Sequence, residues 1–232
     1  GPAIEALYAD QAGGFYDQAT KSMVLLGDVP MLLQVPVVRH ELVHALQDQT
    51  WDLSKWLGKA GEDEDEAAAV QAVLEGHATD VMNRVTLASM GLGGALDPAQ
   101  AAELGELLGT DADGLSDLLG SGLDASSLSA FLPASAPGVL QVQLLFPYVV
   151  GATFVAGYRE AHPEDPGCQA LYRRPPRTTA EVLDPKLWES GTFAPAYSNS
   201  GIGVPGFSIR WTSSLGRLIS WILLTGEADA SA

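Results

Sequence analysis

The chain is short of cysteine, of positive charge and of histidine, and each shortage excludes something. Cys168 is the only cysteine in 232 residues. No intrachain disulfide can form, and no cysteine cluster can hold a structural zinc. Cys168 itself sits in Pro-Gly-Cys-Gln with no paired base nearby, so it reads as a structural residue rather than a nucleophile. Lysine and arginine total 12 against 29 acids, for a net charge of −17. That balance excludes nucleic acid and anionic membrane surfaces as partners, since both are held by Lys/Arg patches. The acidity itself reads as solubility rather than a preference for basic peptides. The chain from 125 to 158 carries no formal charge at all. It is interrupted by Gln141, Gln143, Pro147 and Gly151, which argues against a membrane span of about 20 residues. Proline at a first helical turn predicts a buried helix from Pro147-Tyr148 to about Glu160.

There are only four histidines, yet two of them stand in His40-Glu41-Leu42-Val43-His44. The motif lies in a helix-compatible run, Val35 to Gln49. Residues four apart occupy one helix face, so both imidazoles can reach one metal ion. Glu41 is then placed to handle a water held by that ion, the arrangement of a zinc-dependent hydrolase. Val37, Val38, Leu42, Val43 and Leu46 predict a packed rather than a solvated helix. A catalytic zinc takes three protein ligands and keeps a position for water. With no second cysteine, the third ligand must be a histidine or a carboxylate. Glu75, in a long helical pattern from about Glu62 to Met90, is the best candidate, with Asp80 next. Gly76 is costly inside a helix, by about 1 kcal/mol against alanine. Its position beside Glu75 predicts close backbone packing against the first helix. His77 points about 200° round the helix from Glu75 and is not expected to ligate the same ion.

His40-Glu-Leu-Val-His44 followed by Glu75-Gly-His-Ala resembles the gluzincin group of zinc metallopeptidases. The wider pattern is similar to small bacterial and archaeal gluzincin-like proteins. It is carried by Phe15-Tyr16-Asp17, by the helix around His40 to Gln49, by Glu75 to Thr79, by Pro147 to Val155 and by Tyr172 to Pro185. These pieces span most of the chain except about 92 to 138. The resemblance implies a zincin-like domain binding Zn2+ through His40, His44 and Glu75. It implies Glu41 as general base and a tyrosine or histidine that steadies the attacked carbonyl. Tyr148 and Tyr172 are the candidates for that role, and Arg177 for pairing with a substrate carboxylate. It also implies that the sheet before the zinc helix binds extended substrate along its edge. In one respect the chain departs from the pattern: Thr79 stands four residues after Glu75, where an acid is often found to support a histidine.

The fold class expected is mainly α (α+β). A small N-terminal hairpin, 13–16 and 22–27, precedes the zinc-site helix pair and further helices. One domain spans 1–232, with Gly1-Pro2 as the scar of a protease cleavage and 92–138 as a lid or insertion. Acids 62–66 open the second helix as a solvated, dipole-compensating start. Thr178-Thr179-Ala180-Glu181 fits a capping box for a short helix ended by Asp184-Pro185, and 213–225 forms a last core helix. His162 is placed at a helix C-terminus.

The function expected is a zinc metallopeptidase acting on peptides or proteins, outside the cell or in its envelope; the cytoplasm stays open. Two alternatives use the same residues. Two histidines and a carboxylate also suit iron oxygen chemistry, and an inactive metal domain could serve for binding. Glu41 separates them, because a general base is superfluous to the last.

Overall fold

A computed structural model describes residues 14–25, 27, 31–58, 63–89, 138–191, 216–218 and 220. It is mainly helical with one two-stranded antiparallel sheet. Strands β1 (Gly14–Asp17) and β2 (Ser22–Leu25) pair with Phe15 opposite Val24. The turn between them is built by Asp17, whose carboxylate accepts from the Ala19 and Thr20 amides and the Thr20 hydroxyl. The hairpin is pinned to helix α1 (Met31–Trp51) through Asp48. The Asp48 side chain is fully buried and accepts from the Tyr16 hydroxyl, the Lys21 ammonium and the Leu53 amide. Those three donors repay the desolvation of the carboxylate and hold it below the usual carboxylate range, Lys21 contributing most.

Helix α1 begins four residues before the expected run, so Pro36 lies inside it. Val43 is buried, but Val35, Leu42 and Leu46 are exposed among the described residues. Leu42 sits about 200° round the helix from His40, on the side away from the next long helix. The apolar count of the motif region therefore overstated how much of this helix is packed.

After the short α2 (Leu53–Leu57) comes α3 (Glu64–Ser89). Asp63 caps it, accepting from the amides of Asp65 and Glu66, the usual way an acid satisfies orphan N–H groups. The acidic start is not uniformly solvated. Asp65 is buried and accepts from both the amide and the hydroxyl of Thr179, and burial pushes its carboxyl up. The same Thr179 hydroxyl accepts from the Leu218 amide, so one buried polar cluster ties the C-terminal part of the chain to α3.

Helix α4 (Gly138–Ala161) packs along α3. It starts nine residues before Pro147, contrary to the expected start at that proline. Proline inside a helix removes one backbone hydrogen bond, a loss offset here by burial of Phe146, Ala152, Phe154 and Val155. No helix among the described residues is long and apolar enough to cross a membrane. The glycine beside Glu75 packs against α4, not against α1. A Cβ on Gly76 would meet the Ala152 nitrogen at 2.7 Å and the Gly151 carbonyl closer still, and a Cβ on Gly151 would strike the Ala72 backbone. Two helices touch backbone to backbone at this crossing.

Helices α5 (Gln169–Arg173), α6 (Thr179–Leu183) and α7 (Pro185–Ser190) close the core. Thr178 and Glu181 form the expected capping box. Leu53, Trp56, Val73, Val155, Leu171, Tyr172 and Trp188 share one apolar cluster. Residues 92–137 of the expected insertion and most of 213–225 lie outside the described residues.

Candidate metal centre

Helix α1 carries His40, Glu41 and His44, and α3 carries Glu75. The two helices bring His40 Nε2, His44 Nε2 and Glu75 Oε2 into one triangle. His44 Nε2 lies 3.0 Å from His40 Nε2 and 3.2 Å from Glu75 Oε2, and His40 Nε2 lies 3.1 Å from Glu75 Oε2. Zinc with tetrahedral bonds of about 2.0–2.2 Å holds neighbouring donors about 3.3 Å apart. The triangle is a few tenths of an ångström tighter, so these three residues fit such an ion with little movement. They form a group able to hold a metal, and the ion's identity is not set by this geometry alone. The side chains are nearly sequestered, 11% exposed for each histidine and 13% for Glu75.

Two ring nitrogens facing each other at 3.0 Å must share at least one hydrogen, because two lone pairs would repel. Burial alone would disfavour a charged His44, but the Glu75 carboxylate beside it outweighs burial and holds the ring up to about 9. Reciprocally, burial would raise Glu75, and the hydrogen bonds from His40 and His44 bring it down to about 2. The contact thus favours the charged form of both His44 and Glu75.

Glu41 follows His40 and is not one of the three grouped donors. It is buried, and its Oε2 accepts from the Tyr16 backbone N–H at 2.7 Å. Strand β1 thus reaches the site with a main-chain donor. Burial pushes the Glu41 carboxyl up, while the nearby His44 and His40 and the Tyr16 amide pull the other way.

The remaining candidates separate. Tyr148, on α4, is half-buried, with its ring 6.0 Å from that of His40. Tyr172 is buried behind the site, not in it. Its hydroxyl is 2.7 Å from Gln47 Nε2 and 2.8 Å from His77 Nδ1, and its ring stacks on Trp51 at 5.4 Å. Arg177 lies at the other end of α3, with Nε 3.3 Å from Glu66 Oε1; nine residues of helix, about 13 Å, separate Glu66 from Glu75. His77 is no part of the triangle, and burial brings its pKa down to about 4. His162 follows the last residue of α4, and its ring meets Glu164. Cys168 is fully buried, and burial pushes its thiol up to about 11, which suits a structural residue and no nucleophile.

The acid after Glu75 is spent elsewhere. Asp80 is buried and bridges Arg84 on its own helix and Arg159 on α4, so it clamps α3 to α4. Thr79, one turn beyond Glu75, is buried, and its hydroxyl makes no hydrogen bond among the described residues. Sequence reasoning missed Gln47. It lies three residues after His44, on the same helix face, and accepts from His44 Nδ1 at 2.8 Å. Its i+3 spacing was the available signal.

No protein-family model, no curated protein and no solved structure matches the chain.

Proposed function

We propose that this chain is a zinc-dependent peptidase of the gluzincin kind, cleaving peptide bonds with Glu41 as general base. The observation that carries the reading is the triangle of His40, His44 and Glu75 donors with a buried, non-ligating carboxylate on the residue after the first histidine. Zinc, when bound there, supplies a water of pKa about 7 and polarises the scissile carbonyl. Everything else falls to the chain's own groups. The Tyr16 amide holds Oε2 of Glu41, which fixes the carboxylate and leaves Oε1 to take a proton from water. Burial raises the proton affinity of Glu41, so the same group can hold that proton and return it to the leaving amine. Tyr148, beside His40, is assigned to donate a hydrogen bond to the developing oxyanion.

The test is Glu41→Gln. The variant should keep stoichiometric zinc and lose cleavage of a broad peptide library by about 10²–10⁴-fold, the usual range for a removed general base. Undiminished cleavage would overturn the assignment. Metal analysis of the purified protein decides between zinc and iron.

A further inference from the structure

The partners of Gln47 define how His44 presents itself. Gln47 is buried at 4% exposure. Its Nε2 lies 3.0 Å from the Leu74 carbonyl oxygen and 2.7 Å from the Tyr172 hydroxyl. A backbone carbonyl can only accept, so the amide nitrogen of Gln47 must face it. The opposite orientation would set two acceptors against each other. The Gln47 Oε1 therefore faces His44 Nδ1, 2.8 Å away, and that nitrogen must carry hydrogen. Nε2, the atom turned toward His40 and Glu75, is then the lone-pair nitrogen whenever the ring is neutral.

The orientation is held from behind. Both Gln47 amide hydrogens are used, one on Leu74 and one on the Tyr172 oxygen. Having accepted there, Tyr172 turns its own hydrogen to His77 Nδ1 at 2.8 Å. The Tyr172 ring lies between Trp51, stacked at 5.4 Å, and Trp56 at 5.3 Å, and the Trp56 indole donates to the Tyr172 carbonyl. Tyr172 comes from α5, 125 residues beyond Gln47, so the packing of the closing helices reaches the metal centre through one amide.

We infer that Gln47 is the positioning residue of the metal centre: it sets His44 in the Nδ1–H tautomer and aims Nε2 at Glu75 and His40. This rests on the reading of His40, His44 and Glu75 as metal ligands, but the tautomer itself does not need a metal. A free neutral imidazole favours hydrogen on Nε2, the form that could not ligate through that atom. Gln47 reverses the preference. Outer hydrogen-bond partners of metal-bound histidines are commonly worth about 10–100-fold in metal affinity.

The experiment is long-range 15N–1H NMR of histidine-labelled protein, metal-free at a pH where the His44 ring signals are those of a neutral imidazole, and zinc-loaded at neutral pH. It is run on the wild type, Gln47→Leu and Tyr172→Phe, with circular dichroism as a check on folding. The wild type should show His44 hydrogen on Nδ1. Gln47→Leu should show a mixture with Nε2–H when metal-free, and a zinc Kd about 10–100-fold weaker. Tyr172→Phe keeps the Leu74 bond that orients the amide, so its His44 should stay Nδ1–H. Nε2–H in the wild type, or an unchanged tautomer and Kd in Gln47→Leu, would overturn the inference. Should the tautomer respond as expected while His44→Ala leaves zinc affinity untouched, the hold of Gln47 on the His44 tautomer stands and the metal-centre reading falls.

Discussion

Replacing Gly76 with alanine sets helix propensity against packing, and the structure says which wins. The alanine gains about 1 kcal/mol of intrinsic helix stability. Against that, its Cβ would lie 2.7 Å from the Ala152 nitrogen and nearer to the Gly151 carbonyl, where ordinary contact begins at 3.4 Å. Those neighbours are backbone in the middle of a helix, so no side chain can rotate out of the way. Helices α3 and α4 must part by about 1 Å, and a gap of that size forfeits about a quarter to a half of the dispersion attraction between facing atoms. Ala72, Val73 and Val155, all fully buried, feel it first. Overpacking a core costs about 1–3 kcal/mol and occasionally more; less the propensity gain, we expect a net loss of up to about 2 kcal/mol. At about 2–4 °C per kcal/mol for a chain of this size, Tm should fall by up to about 8 °C. The assay is thermal and urea unfolding of the metal-free protein, so that zinc binding does not mask the change. Gly151→Ala should act alike, and the double variant should lose less than the sum, because both changes part the same two helices. Because Glu75 is the neighbour of Gly76, zinc affinity should weaken too. Stability equal to or above wild type in Gly76→Ala would refute the backbone contact.

Three further outcomes are expected. Tyr148→Phe should keep zinc and lower kcat by about 10²-fold, as loss of one oxyanion donor does, with KM little changed; an unaltered kcat removes Tyr148 from the site. Zinc must displace the proton that Glu75 keeps on His44 up to about pH 9, so zinc affinity measured by calorimetry should rise with pH through the neutral range, and binding should release protons. In the metal-free protein the sign reverses. A His44 pKa raised above its unfolded value stabilises the fold below about pH 6.5 and loses that contribution as pH climbs through about 9; Glu75→Gln should flatten the profile, and an unflattened one would contradict the pairing. Thr79→Val removes a buried hydroxyl with no partner among the described residues, so unfolding stability should hold or improve by up to about 1 kcal/mol; a loss larger than that would mean the hydroxyl is satisfied in the folded protein.

Local features were legible in the chain, and for local reasons. Four-residue spacing on one helix puts His40 and His44 on one face whatever surrounds them. The capping box at Thr178 and Glu181 needs only neighbouring residues to form. The hairpin boundaries followed from Gly14, the Asp17 turn and the apolar strand after it. Glu75 was reachable because few residue types in the chain could join two histidines as a third donor. Features that depend on which helix lies alongside were not legible. Gly76 announced a close approach but not its partner, which is α4 rather than α1. Pro147 marks a helix start in isolation, yet the burial around Phe146 and Phe154 carries the helix through it. Leu42 and Leu46 carry the same hydropathy as buried leucines and stand exposed.

By itself, then, the sequence determined that His40 and His44 share one helix face with Glu41 beside them, and it left a short list of acids able to join them, because these are set by residue type and helical pitch. The tertiary structure alone decided that Glu75 closes the triangle, that Asp80 is spent on Arg84 and Arg159, and that the Tyr172 hydroxyl is taken up by Gln47 and His77. The physical reason is that periodicity tells which way a side chain leaves its helix, while its partner is fixed by how helices far apart in the chain pack together.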